Sequence, residues 1–409
     1  MIECGLLGRH LAHSYSPQIH SYLGDYPYSI FETEPELLES FLQNVPFTGL
    51  NVTIPYKKSV LPYCNELTPA AHRLGAVNTL IRRSDGSLLG HNTDYFGFQY
   101  LMRQLNPDIA NKKALVLGNG GASRTVVAVL TDLGAVPIVI SRSGEHNYQN
   151  LHLHKDAVLI VNTTPVGMYP DTQGRILDLD AFPVLESVVD LIYNPARTPL
   201  LMDAEKRGLK TENGLSMLVA QAKESAEYFT SCTISSDVID RIRHLLIQKT
   251  ENIILIGMPG CGKSTVGAAL AKKLGRKFVD TDHEIGAFAG ITIPEIFSSQ
   301  GESGFRHLET EALAQYGKES GLVIATGGGC VTKQENYPLL HTNGRIVWLQ
   351  RDLEKLPVNG RPLSLSGDLQ AMYHAREPLY RQFADFHVSN NTSVSKTVDK
   401  ILDILENAL

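Results

Sequence analysis

The sequence predicts an α/β protein with parallel sheets in more than one domain, and three observations carry that prediction. Its 409 residues exceed what one ordinary core organises, so two or three domains are expected. Short β-branched apolar runs alternate with glycine-marked turns and helical periods along the whole chain. Two glycine-rich loops, Gly118–Ser123 and Gly257–Ser264, each follow such a run and open a helix. The loops differ in kind, and there is no internal repeat. The boundaries expected from these patterns are an α/β substrate-binding subdomain over 1–100, a Rossmann-like dinucleotide subdomain with C-terminal helices over 101–248, and a P-loop, nucleoside-monophosphate-kinase-like domain over 249–409. Gln248–Asn252 is the one candidate linker.

Composition narrows the function. The chain is 43% hydrophobic and 20% charged, which is globular, and its net charge of −6 offers no general basic surface, so nucleic acid is not an expected partner. Cys4, Cys64, Cys232, Cys261 and Cys330 are scattered, odd in number and without a C-x-x-C pair. That usage fits free thiols in a reducing cytosol rather than a disulfide framework or a zinc site. No signal-peptide pattern and no apolar stretch of about 18 residues is present, so a cytoplasmic chain with no membrane partner is expected.

Residues 2–7 begin a strand. The polar turn that follows carries Ser14 and Ser16, whose hydroxyls suit a carboxylate, and Pro17, which opens a helix. Gly49–Val52 is a strand that runs through Thr53 into a proline turn presenting Lys57; a lone lysine there is ordinarily solvated. Gly75–Thr79, with Asn78, and Gly90–Asp94 add two more polar strand ends. Each is weak alone. Four in one subdomain suggest a polar small-molecule site.

Lys113–Gly118 is a strand entering Gly118-Asn119-Gly120-Gly121-Ala122-Ser123, followed by a helix through Leu130 and a second strand, Val136–Ile140. This is a nucleotide-binding βαβ start. An acid at the end of the second strand would accept from the ribose of NAD. Ser141-Arg142-Ser143 stands there instead, and Arg142 suits a 2′-phosphate, so NADP is expected. His146, His152 and His154 have no carboxylate at metal-ligand spacing and read as a solvated loop. Residues 215–230 and 236–248 read as helices packing back on the dinucleotide subdomain.

Gly257–Ser264 fits G-x-x-x-x-G-K-[ST], between the strand Ile253–Ile256 and a helix over 265–274. The backbone N–H groups of Gly260, Cys261, Gly262, Lys263, Ser264 and Thr265 can turn on phosphate oxygens at a helix N-terminus. Lys263 can reach the β- and γ-phosphates of ATP, and Ser264 can ligate Mg²⁺. Lys277–Asp282 reads as a strand ending in two carboxylates, Asp280 for the metal's water shell and Asp282 for substrate hydroxyls. Arg306 and Glu309, spaced i, i+3 where a helix opens, would as an isolated pair be a surface ion pair worth a few tenths of a kcal/mol. Gly327-Gly328-Gly329 after the buried run Leu322–Ala325 implies close backbone approach by a ligand. Arg361 and Arg376 each sit beside a proline turn. Trp348 reads as core.

The motifs Ser14-x-Ser16-Pro17, Asn51-Val52-Thr53-x-Pro55-x-Lys57, Gly75–Thr79, Asn92-Thr93-Asp94 and Asn213-Gly214-Leu215-x-Met217-Leu218-Val219-x-Gln221 together resemble shikimate dehydrogenase over about residues 1–245. The resemblance implies a Lys57–Asp94 proton shuttle. It further implies that Ser14, Ser16, Thr53, Asn78, Asp94, Tyr193 and Gln221 hold shikimate or 3-dehydroshikimate. NADP(H) would lie on Gly118, Asn119, Gly120, Gly121, Ala122, Ser141, Arg142, Ser143, Leu191 and Gly214. The loop's third position is Ser123, which fits that family's own G-x-G-G-A-[SA]. The family's threonine and second arginine after Arg142 are replaced by Ser143-Gly144-Glu145-His146. The phosphate loop and the motifs after it look like shikimate kinase over about residues 251–409. This implies shikimate on Asp282, Arg306, Gly327, Gly328, Gly329 and Arg376, with Arg361 on a lid over ATP phosphates. Between Leu349 and Arg361 the chain is shorter than usual; the family's earlier arginine is missing, and Arg351 is a poor substitute by position. The implied function is a bifunctional enzyme using NADP(H), ATP and Mg²⁺. A chain with only one active half, and a shikimate- and ATP-binding sensor, stand as alternatives.

Overall fold

The computed structural model describes residues 3–11, 14–356 and 369–407. They form two compact units: residues 1–166, 175–193 and 203–245 in the first, and 167–174, 194–202 and 246–409 in the second.

The first unit holds two sheets. One comprises β1 (Cys4–Gly8), β2 (Tyr28–Glu32), β3 (Gly49–Val52), β4 (Glu66–Leu67), β5 (Thr79–Arg82) and β6 (Leu88–His91), in the order β2-β1-β3-β5-β6-β4. The sequence suggests parallel sheets, but β5 runs antiparallel to both β3 and β6. For β5 and β6 the reason is local: they are joined through Asp85-Gly86, with Gly86 at φ 85°, and a turn that short can connect only antiparallel strands. Register then fixes function. Leu7 pairs with Val52, Asn51 with Thr79, and Thr79 with His91. The ends of β1, β3 and β6 and the start of β5 therefore lie at one edge of the sheet, which gathers the four polar clusters.

The second sheet is all parallel, β7 (Lys113–Leu117), β8 (Val136–Ile140), β9 (Leu159–Asn162), β10 (Ser187–Asp190) and β11 (Lys210–Asn213), in the order β11-β10-β9-β7-β8. The helix Gly121–Asp132 follows β7, as expected. The helix Leu215–Thr230 departs from expectation by packing on the helices Asp94–Leu105 and Ser16–Leu23 and reaching β3 and β5. Its buried face explains this: Ala222 and Ala226 permit close approach, Phe229 fills the space over Gly49, and Ser225 enters a polar network with β3. His154 is a further correction, being buried against the His146 ring rather than solvated.

In the second unit β12 (Asn252–Ile256), β13 (Phe278–Asp280), β14 (Val323–Ala325), β15 (Gly344–Gln350) and β16 (Phe386–Ser389) make a parallel sheet in the order β13-β14-β12-β15-β16. β12 is central and wholly buried, and it feeds the phosphate loop. Trp348 is core, 1% exposed. The stretch read as a linker is regular structure: the helix Asp237–Thr250 runs through it, and Asn252 already opens β12. No glycine or proline interrupts those residues. The buried Asn252 amide donates to the Gly317 and Glu319 carbonyls and accepts from Leu322 N, which fixes the strand start. Pro378 lies inside the helix Leu369–Phe383 rather than in a turn beside Arg376. All five cysteines are free. Among the described residues, no helix is long and apolar enough to cross a membrane, and no group of three or more His, Cys, Asp or Glu could hold a metal ion.

Candidate active sites

At the gathered edge of the first sheet, Lys57 Nζ lies 2.7 Å from Asp94 Oδ2, with the side chains 30% and 15% exposed. The solvated reading of Lys57 therefore fails. Val77 N donates to the Lys57 carbonyl at 2.7 Å, which ties the proline turn to the start of β5. Asp94 opens its helix, and its N–H donates to Asn92 Oδ1 at 3.1 Å. The pair is thus held from both sides while one face stays open to solvent.

Asn78 faces Thr93 across close polar contacts: Asn78 Nδ2 donates to Thr93 Oγ1 at 3.0 Å, and Thr93 N donates to Asn78 Oδ1 at 2.8 Å. Thr93 Oγ1 also lies 3.3 Å from Gln221 Oε1 and 3.1 Å from Ser225 Oγ. Behind them, Asn51 Nδ2 donates to Ser225 Oγ at 2.7 Å, and Thr79 Oγ1 lies 3.0 Å from the same hydroxyl. Thr79, Thr93 and Ser225 are completely buried. This network locks Asn78 and Gln221, two expected substrate ligands, into one orientation. The sequence reading did not assign Thr93 and Ser225 to the site; Ser225 lies one helical turn from Gln221, the only signal that could have found it. Ser14 accepts from Ser16 N at 3.2 Å. Thr53 continues the chain from β3, its N–H donating to the Leu7 carbonyl. Tyr193 rests against the Tyr15 ring, and burial pushes its phenol above the usual range.

The expected dinucleotide loop leaves β7 at Gly118. Asn119, Gly120, Gly121 and Ala122 are exposed, and a Cβ at Gly120 or Gly121 would meet open space. Ser123 is buried beneath the helix it helps open, as its small side chain allows. Ser141 is buried and bridges to Asn147, while Arg142 and Ser143 are exposed at the end of β8. Gly214 approaches Leu191 so closely that a Cβ would lie 2.0 Å from the Leu191 carbonyl oxygen, so these two expected positions do meet.

In the second unit a cleft of about 550 Å³ spans the phosphate loop and the three glycines. Gly262 precedes the helix Lys263–Leu274 with φ 102°, a conformation that favours glycine. Lys263 Nζ donates to the Gly257 and Met258 carbonyls at 2.8 and 3.1 Å, so the ammonium lies over its own loop. Ser264 Oγ lies 2.5 Å from Asp280 Oδ2, which brings the two expected metal positions together. The Cys261 side chain is completely buried in the core, leaving only its backbone to face a ligand. Asn390, the residue after β16, supports the loop by donating to the Cys261 carbonyl at 2.7 Å. Asp282 lines the cleft from the first turn of the helix Thr281–Ala289, not from the strand end.

Arg306 and Glu309 are 2.6 Å apart with side chains 7% and 0% exposed, so they form a buried pair and not the surface pair their spacing suggests. The helix Ile293–Gly317 breaks at Gly301 (φ 70°), before Arg306. A Cβ at Gly329 would lie 2.0 Å from Arg306 Nη2, and one at Gly327 would lie 2.3 Å from Glu309 Oε1. The glycine run is therefore a backbone surface pressed against a buried ion pair. Burial raises the Glu309 carboxyl pKa, opposed by Arg306. Arg376 Nη1 donates to the Gly328 carbonyl at 3.2 Å, and the completely buried Tyr380 donates its hydroxyl to the same oxygen. Glu309, Tyr380 and Asn390 are additions to the expected set; Glu309 was visible as the i, i+3 partner of Arg306. Arg361 lies outside the described residues.

Residues 6–80 match the family model for the shikimate dehydrogenase substrate binding domain, and residues 259–406 match that for shikimate kinase. A shikimate dehydrogenase (NADP(+)) of Clostridium beijerinckii is 36% identical over 253 residues, covering 57% of this chain and 93% of the relative. One of Crocosphaera subtropica is 36% identical over 268 residues, covering 58% and 93%. A solved chorismate mutase/shikimate 5-dehydrogenase fusion protein from Clostridium acetobutylicum superposes with TM-score 0.57 at 37% identity, covering 60% of this chain and 97% of that one. Shikimate 5-dehydrogenase from Thermus thermophilus in complex with NADP(H) and shikimate gives 0.55 at 31%, covering 60% and 99%. The chain belongs to the shikimate dehydrogenase family and carries a shikimate kinase domain C-terminal to it, a dehydrogenase–kinase fusion of the shikimate pathway.

Proposed function

We propose that the dehydrogenase half, residues 1–248, reduces 3-dehydroshikimate to shikimate with NADPH, and that the kinase half, residues 249–409, phosphorylates shikimate to shikimate 3-phosphate with ATP. The observation that carries this reading is that each half sets a polar cluster suited to a hydroxylated ring acid at the edge of its sheet, Lys57–Asp94 with Asn78 and Gln221 in one and Arg306–Gly329 with Arg376 in the other.

In the first half Lys57 gives a proton to the oxygen that becomes the new hydroxyl, and Asp94 holds the ammonium toward it. Ser14 and Ser16 take the carboxylate; Thr53, Asn78, Tyr193 and Gln221 take the ring hydroxyls. The exposed, glycine-lined start of the helix Gly121–Asp132 fits a pyrophosphate, and the exposed Arg142 fits a 2′-phosphate. NADPH supplies the hydride when bound there. In the second half Arg306 and Arg376 take the carboxylate in fork geometry, and Asp282 accepts from the attacking hydroxyl. Lys263 neutralises phosphate charge. The adjacent Ser264 hydroxyl and Asp280 carboxylate are an oxygen donor set suited to Mg²⁺, which would screen the phosphates there.

The test is a pair of assays on the purified chain: NADPH consumption with 3-dehydroshikimate, and ADP release with shikimate. Both are expected. Loss of one activity leaves a chain with a single active half, and heat of binding for ATP and shikimate without turnover in the second assay leaves a sensor.

A further inference from the structure

We propose that Arg351 is a ligand for the phosphate chain of the nucleotide in the kinase half, an assignment that rests on the kinase reading above. Arg351 follows β15, the neighbour of β12, with Ile256 paired to Trp348. The two strands deliver their ends side by side: a Cβ on Gly257 would lie 2.5 Å from the Leu349 carbonyl. This places the Arg351 side chain in the cleft with Gly260, Gly262 and Lys263, and its Nη1 lies 3.8 Å from where a Gly262 Cβ would stand.

Among the described residues no acid compensates the guanidinium. Among the described residues its Nε is buried without a hydrogen-bond partner, and the side chain makes no ion pair. The neighbouring acid, Asp352, is engaged by Lys355 Nζ at 2.6 Å and Asn391 Nδ2 at 2.7 Å. Asp280, across the loop, accepts from Ser264. Arg351 instead shares the cleft with two further sources of positive potential, the Lys263 ammonium and the N-terminus of the helix Lys263–Leu274. A partly desolvated cation beside like charge is unfavourable in isolation and favourable around a multiply charged anion. The planar fork of arginine suits phosphate oxygens. Arg351, one residue past β15, is set against the loop at Gly262.

The test is calorimetric titration of the full-length chain with Mg-ADP and with inorganic tripolyphosphate, for wild type, Arg351→Gln and Arg351→Lys, together with melting temperatures in the absence of ligand. Arg351→Gln should weaken both ligands at least tenfold, with Arg351→Lys intermediate. The glutamine variant should melt no lower than wild type, since it removes an uncompensated cation; a structural arginine would behave oppositely. Unchanged affinity for both ligands, or a lowered melting temperature without ligand, would overturn the assignment. Weakening of ADP alone would move Arg351 to the base or ribose and also overturn it. If the wild-type chain binds no ADP, the kinase reading itself fails, an outcome distinct from an unaltered variant.

Discussion

The two polar clusters are assembled from sequence in opposite ways. In the dehydrogenase half, side chains between Ser14 and Asp94 arrive from three strand ends and one strand start, and Gln221 reaches them from a helix far along the chain. Their positions are held by side-chain hydrogen bonds through Thr79, Thr93 and Ser225. In the kinase half, two short contiguous runs, Gly257–Ser264 and Gly327–Gly329, present backbone, and a buried ion pair backs the second. A site made of backbone tolerates almost no added volume. A site made of side chains tolerates volume but depends on every hydrogen-bond partner. Each half is fragile in a different place.

The largest effects should fall on the charged groups nearest the chemistry. Lys57→Ala should lower reduction by about 10³-fold, within the range of a lost general acid, and spare ADP release. Lys263→Ala should lower phosphorylation by a similar factor and spare NADPH consumption. If either change abolishes both activities, the halves do not act separately. Next, Gly329→Ala should lower kcat/KM for shikimate about 100-fold in the kinase assay, because its Cβ meets a buried guanidinium 2.0 Å away. Gly120→Ala faces open space and should leave the melting temperature unchanged, so equal damage from both would erase the distinction between tight and open glycines.

A third test concerns protonation. His20 is completely buried, stacked on Tyr28, with Nδ1 2.7 Å from the Tyr26 hydroxyl, and desolvation lowers its pKa to about 3. A lowered histidine pKa means that the unfolded chain takes up the proton first. Stability should therefore fall as pH drops below about 6.5 and go on falling to about 3, by about 2 kcal/mol at pH 5. His20→Phe should flatten that slope in urea unfolding of the dehydrogenase half; an unaltered slope would assign it elsewhere. The smallest loss of function expected is from Tyr380→Phe. It removes one hydrogen bond to Gly328 and should raise the shikimate KM several-fold with kcat nearly unchanged, at a stability loss of about 1 kcal/mol. A stability loss without any KM change would make Tyr380 merely structural.

Local chemistry made much of this protein legible in advance. The phosphate loop, the dinucleotide loop and the helix Leu215–Thr230 follow from glycine spacing and apolar periodicity, signals carried by neighbouring residues. Local sequence also set which side chains crowd strand ends, because turn residues and strand lengths are local properties. It did not determine burial. Arg306–Glu309 has the spacing of a surface pair and became a core pair because the glycine run closes over it; His154 has loop composition and became buried against His146. Nor did it show that Ser225, Asn390 and Tyr380 brace the clusters, since each acts on a partner remote in sequence. Only the tertiary structure decides such matters, because desolvation and hydrogen-bond satisfaction depend on what the rest of the chain lays over a residue, and one-dimensional spacing carries no record of that cover.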